Sequence, residues 1–174
     1  MITTIRLEGP AKNALSETLM RSIIKQLKEA NGAPVMITGS GDTFSAGLDL
    51  KALIELDEPG LKVYLELLEE MAEALFLYPG PTCALVNGHA IAGGAIITIC
   101  CDLSVASPDA RARVGLNETA LGVVFPPRLY KMVHHCLAPR YREDIMLGGR
   151  LYGIKKAAEV GMIKRLDASP EAWA

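Results

Sequence analysis

An α/β fold is predicted by three features of this 174-residue chain. Short apolar runs that read as buried strands alternate with segments of helical periodicity. Glycine-bearing loops, "GSGDTFSAGLDL" and "NGHAIAGGA", stand where strand gives way to helix. Half of the residues are hydrophobic and 22% are charged, enough apolar material for one core of common domain size.

The elements follow in order. "TTIRL" alternates and precedes Gly9 and Pro10, which predicts a strand. Ser16 suits the cap of a helix running to about Ala30, with Leu15, Leu19, Ile23 and Leu27 on one face. "PVMITG" is a continuous apolar run typical of a buried strand. A second amphipathic helix is predicted over residues 61 to 77. Leu61, Leu65, Leu68, Ala72 and Leu75 form its apolar stripe, and Glu66, Glu69, Glu70 and Glu73 its solvated face. "CALVNG" reads as a strand, "AGGAIITICC" as a helix and "DLSVA" as another strand. Helical patterns return over residues 127 to 136, 140 to 147 and 153 to 160, and "MIKRL" suggests a closing strand. With neither repeat nor linker, residues 1–174 are expected to form a single domain.

Composition excludes several classes. A net charge of -2 and 5% aromatic residues leave neither the basic footprint nor the stacking platforms of a nucleic-acid binder. Cys83, Cys100, Cys101 and Cys136 lack C-x-x-C spacing and read as reduced, buried thiols. His89, His134 and His135 lack the spacing of metal ligands, so no metal is expected. "MITTIRLEGP" does not have the pattern of a secretory leader. The longest apolar stretch, residues 90 to 101, is too short to span a bilayer, and no membrane association is expected. These features suit a cytoplasmic protein, or a mitochondrial matrix protein from which a leader has been removed.

Two features suggest chemistry. "FSAGLDL" and "NGHAIAGGA" each follow a strand and lead into a helical segment. Singly they read as tight turns. As a pair they can point two free backbone N–H groups at one oxygen, with a helix N-terminus adding positive potential. The second feature is Glu118, the single acid of "VGLNETALGVVFPP". It is either a turn or cap residue at the surface or a base in a dry pocket. Asp49 and Asp102 read as structural hydrogen-bond acceptors, Asn87 as the anchor of the turn before the second loop, and His89 as a packing residue. His134 and His135 read as surface residues.

Four blocks, "KNALS", "GDTFSAGLDL", "NGHAIAGGAIITICCDLSVAS" and "GLNETALGVVFPP", together resemble the crotonase (enoyl-CoA hydratase/isomerase) superfamily, in order and over nearly the whole chain. The resemblance implies a spiral of β-β-α units, acyl-CoA thioester substrates, an enolate-type intermediate and assembly into homotrimers or hexamers. It implies no separate cofactor, since CoA is part of the substrate. By position it makes Leu48 and Gly93 the oxyanion N–H donors. It places Ser45, Ala46 and Lys51 near the CoA moiety.

Hydratases of this superfamily use two glutamates. The first lies three residues after the oxyanion glycine, where this chain has Ile96, and the second matches Glu118. With one acid missing, the sequence is most similar to the delta-3, delta-2 enoyl-CoA isomerases, in which the matching glutamate shuttles a proton. The expected activity is therefore transfer of a 3-enoyl-CoA double bond to the 2-trans position, as in fatty acid β-oxidation, with Ile96 lining the acyl site. A hydratase or thioester hydrolase of the same superfamily stays open, as does a catalytically silent acyl-CoA-binding or assembly subunit. Family members usually begin with one more strand and hairpin and continue past "GMIKRLD" with helices that cover the acyl pocket. The chain is therefore expected to be truncated at both ends, with the usual C-terminal helices missing.

Overall fold

A computed structural model describes residues 2–173. The chain opens with β1 (Thr3–Leu7), the irregular turn α1 (Pro10–Asn13), α2 (Glu17–Ala30), β2 (Val35–Gly39) and β3 (Thr43–Ser45). It continues through α3 (Leu50–Leu53), α4 (Glu58–Phe76), β4 (Thr82–Leu85), β5 (His89–Ile91) and α5 (Gly93–Cys100). Then follow β6 (Leu103–Ala106), β7 (Arg113–Gly115), α6 (Pro127–Cys136), α7 (Arg142–Leu147), β8 (Tyr152–Gly153), α8 (Ile154–Glu159) and β9 (Arg165–Leu166). A short 3-10 helix, Thr119–Leu121, lies between β7 and α6.

Two sheets organise these elements. The larger has the order β1-β2-β4-β6-β9 and the smaller β3-β5-β7-β8. Each of the pairs β2/β3, β4/β5 and β6/β7 gives its first strand to the larger sheet and its second to the smaller. Helices follow each pair, which is the expected spiral of β-β-α units. Every pairing in the larger sheet is parallel, and only β7 with β8 runs antiparallel. Parallel strands need both faces covered, and β2 is buried at every position.

The first predicted strand, the helix from Ser16 and the strands at 35–39 and 82–85 form as expected. The Ser16 hydroxyl accepts from Leu19 N at 3.3 Å, closing the N-terminus of α2. Leu15, Leu19, Ile23 and Leu27 are all buried. The predicted helix over 61–77 starts earlier, at Glu58, because Asp57 caps it by accepting from Gly60 N. Its apolar face also differs: Leu61 is exposed, whereas Tyr64, Leu67 and Met71 are buried. Glu69, expected on the solvated face, is buried as well. The closing strand shrinks to Arg165–Leu166. Cys100 and Cys101 are buried, but Cys83 and Cys136 are only half-buried. His135 is exposed as expected, while His134 is half-buried and stacks on Tyr130. Among the described residues no helix is long and apolar enough to cross a membrane.

Candidate active site

The first loop leaves β3 at Ser45 and reaches Leu48 through Gly47, which adopts φ +91°. That left-handed conformation suits glycine, which has no Cβ to clash. Space forbids a side chain too. A Cβ at Gly47 would sit 2.7 Å from the Ile91 carbonyl oxygen and 2.8 Å from Ala92 Cβ. The same point is 3.3 Å from Gly93 N, so the residue before Leu48 abuts the first turn of α5. Gly47→Ala is therefore expected to cost about 1–3 kcal/mol of stability from backbone strain, measured as a lower urea midpoint. An unchanged midpoint would show that the loop can move away without penalty.

The second loop ends at Ala92, whose φ of +49° and ψ of −116° turn the chain sharply into α5. Positive φ is rare for a non-glycine residue and marks a backbone held by its surroundings. Gly93 then starts a helix buried along its whole length. The Leu48 and Gly93 amides donate to no other protein group among the described residues. Two unpaired N–H donors on adjacent loops, one of them at a helix N-terminus, are suited to hold an anionic oxygen.

A scaffold fixes the first loop. Asn13 is buried and donates through Nδ2 to the carbonyls of Ser40 (2.9 Å) and Thr43 (2.7 Å). The Tyr64 hydroxyl donates to the Leu15 carbonyl and accepts from Asp49 N at 3.3 Å. Leu15 N donates in turn to the Gly47 carbonyl at 2.7 Å, so Leu48 is braced on both sides. The Asp49 carboxylate accepts from Ala52 N and caps α3. Sequence reasoning missed Asn13 and Tyr64 as positioning residues. Asn13 stood inside "KNALS", but Tyr64 looked like one more residue of an amphipathic helix.

Ser45 does not fit its expected place beside CoA. It is fully buried, its hydroxyl donates to the Asn13 carbonyl at 2.8 Å, and it accepts from Gly47 N at 3.2 Å. Its side chain braces the loop, which leaves no hydroxyl free for a ligand. Asp102 accepts from the backbone and hydroxyl of Thr82, both at 2.8 Å, as a structural acceptor would. Asn87 ties the end of β4 to the end of the adjacent strand β2: it accepts from Gly39 N and donates to the carbonyls of Gly39 and Gly41. His89 accepts through Nδ1 from Arg113 N at 3.1 Å, a contact between the two central strands of the smaller sheet.

Glu118 lies just before the 3-10 helix, in the connection from β7 to α6. It is only 8% exposed, and its buried Oε2 has no hydrogen-bond partner among the described residues. Burial raises its pKa from the ordinary 4.5 to about 7, against a smaller opposing contribution from its own backbone hydrogen bond. The surface or cap reading of this residue is thereby excluded, since its side chain caps no helix.

Leu48, Gly93, Ile96 and Glu118 line one cavity. Leu65 and Leu68 of α4, residues 123–126 and Leu129 of α6 complete it. Its volume is about 20 Å³, room for about one water molecule. Glu118 is the one ionisable side chain among these lining residues. Ala46 is half-buried and Lys51 is exposed on α3; neither lines the cavity. A groove of about 630 Å³ beside Leu27, Asn31, Glu73 and Tyr78 is far larger. It shares no residue with the cavity and lacks the unpaired amides, so chemistry rather than size locates the site. Among the described residues, no group of three or more His, Cys, Asp or Glu could hold a metal ion.

Known proteins resemble this chain in sequence and in fold. A putative enoyl-CoA hydratase from Thermus thermophilus is 32% identical over 173 residues, covering 95% of this chain and 67% of its own length. Mouse mitochondrial enoyl-CoA delta isomerase 1 is 27% identical over 167 residues, covering 93% of this chain and 58% of its own. The crystal structure of an enoyl-CoA hydratase/isomerase family protein from Silicibacter pomeroyi superposes with a TM-score of 0.85 at 29% identity. That superposition covers 99% of this chain and 74% of the other. The chain thus spans about two thirds or less of the length of the curated relatives it matches. The family described as enoyl-CoA hydratase/isomerase matches over residues 1–172, and the chain belongs to it.

Proposed function

We propose that this chain is an enoyl-CoA isomerase that moves the double bond of a 3-enoyl-CoA thioester to the 2-position. The observation that carries the reading is a cavity with two free amides and a single ionisable group, Glu118, with Ile96 where a second acid would stand. In the proposed reaction the thioester oxygen accepts hydrogen bonds from Leu48 N–H and Gly93 N–H. The Glu118 carboxylate removes a proton from C2, and the C–H electron pair moves toward the carbonyl to form a dienolate. Each preorganised donor to such an oxygen is typically worth about 3 kcal/mol. Glu118, now a carboxylic acid, gives the proton to C4, and the double bond forms between C2 and C3. A carboxyl group with a pKa near 7 suits both halves of this exchange.

Incubation with a 3-enoyl-CoA tests the reading: the product expected is a 2-enoyl-CoA of unchanged mass. The same assay distinguishes the relatives' other named chemistry. Hydration needs water to be both held and deprotonated, and Ile96 can do neither. Water addition to 2-enoyl-CoA is therefore expected at under about one hundredth of the isomerisation rate, the low end of what one acid–base group contributes. Comparable rates would overturn the assignment. Binding of a CoA ester without turnover would point to a silent binding subunit instead.

A further inference from the structure

We infer that Glu69 is a positioning residue for the reaction cavity: through Arg128 it fastens the wall formed by residues 122–127 to α4 and keeps water from Glu118. The inference rests on the proposed function in taking this cavity as the place of reaction.

The wall is held at two ends. At one, Val123 N donates to the Glu118 carbonyl at 2.9 Å, and Gly122 turns the chain with φ +70°. At the other, α6 begins at Pro127 with no cap from its own neighbouring side chains. Glu69 supplies one from across the cavity. Arg128 N donates to Glu69 Oε1 at 2.9 Å, and Arg128 Nε to Glu69 Oε2 at 3.1 Å. Arg128 Nη1 donates to Glu73 Oε2 at 3.0 Å. Between these ends, neither Val124 N nor Phe125 N donates to a protein group among the described residues, and Pro126 and Pro127 have no N–H.

Burial makes the Glu69 contact specific. Its side chain is 11% exposed against 45% for Arg128. A carboxylate is seldom buried without a partner, and losing that partner is costly. Leu65 and Leu68, on the same helix just before Glu69, line the cavity opposite residues 123–126. Helix α4 therefore supplies both one side of the cavity and the latch for the other. Val124 is 84% exposed although it lines the cavity, so the wall is one residue thick where it separates Glu118 from solvent. The groups lining the cavity with Glu118 are Leu48 from the first loop, Gly93 and Ile96 from α5, Leu129 from α6, and the α4 and wall residues just named. None of them titrates.

The test is a carbon-13 NMR titration of the Glu118 carboxyl, assigned by its loss in Glu118→Gln, in Glu69→Ala, Glu69→Gln and Glu73→Gln. Loss of the latch in Glu69→Ala lets water reach Glu118 and is expected to lower its midpoint by about one pH unit or more. Turnover of 3-enoyl-CoA is expected to fall about tenfold in kcat through misplacement of the base, with a smaller change in KM. Glu69→Gln loses the charge but keeps an oxygen for Arg128 N–H, so it should stay near wild type, and Glu73→Gln should match wild type. Two outcomes overturn the inference: an unmoved midpoint in folded Glu69→Ala, or equal shifts in Glu69→Ala and Glu69→Gln, which would mean simple charge removal. Arg128→Lys, which keeps the charge but loses the two-pronged contact, takes the place of Glu69→Ala if that variant does not fold. A shifted midpoint in a protein without isomerase turnover would support the latch and overturn the proposed reaction.

Discussion

Glu118→Gln is expected to lower turnover of a 3-enoyl-CoA by roughly two to four orders of magnitude, the usual contribution of a positioned acid–base group. The size of the effect follows from the site's composition. Among the described residues no other ionisable side chain lines the cavity, so no neighbour there can take over the proton. Glutamine matches glutamate in size and keeps a carbonyl oxygen, but it cannot accept a proton from C2 at useful rates. The Leu48 and Gly93 amides are untouched by the change, so binding of a non-reactive CoA ester should be nearly preserved. Turnover and ester binding measured on the same preparation separate chemistry from binding. Near wild-type turnover would mean that another group carries the proton, and the isomerase mechanism would have to be abandoned.

The larger sheet was legible because its strands carry local signals. "TTIRL" alternates, and Val35–Gly39 is buried on both faces and so reads as a continuous apolar run. The smaller sheet was not legible. Its strands are two or three residues long, as in Thr43–Ser45 and Arg113–Gly115, too short for any alternation to show. Of the site, the two loops and Glu118 stood out through glycine placement and an isolated acid. Gly47 can be read from sequence because a positive φ and close backbone approach demand glycine there, whereas a Cβ at Gly93 would meet the Leu15 side chain. Ser45 misled, because a serine in a glycine loop looks like a ligand contact whether its hydroxyl faces in or out. Glu69 misled for a related reason. In a run of four acids its own position does not reveal that a partner 59 residues away, Arg128, permits its burial.

The pH dependence of stability should carry the mark of Glu118. Its folded-state pKa of about 7 lies above the 4.5 of an ordinary glutamate, because burial disfavours the charged form and Oε2 has no partner among the described residues. Below about pH 4.5 the folded and unfolded states both hold the proton, and the group contributes no pH dependence. Between 4.5 and 7 the folded state keeps a proton that the unfolded state has lost, so stability falls as pH rises. Above about 7 both are ionised and the loss is complete. At about 1.4 kcal/mol per decade of proton concentration, the total is about 3–4 kcal/mol. Urea unfolding of wild type and Glu118→Gln at a series of pH values from 4 to 9 isolates this contribution. The two proteins differ by a constant from the amide's own packing, so the informative quantity is the difference in slope. Wild type should lose stability relative to Glu118→Gln across pH 4.5 to 7 and run parallel to it at higher pH. A constant difference over the whole range would show that Glu118 titrates alike in folded and unfolded chains. The carboxyl would then be wet, and a base tuned by a dry cavity would be ruled out even if the variant lost activity.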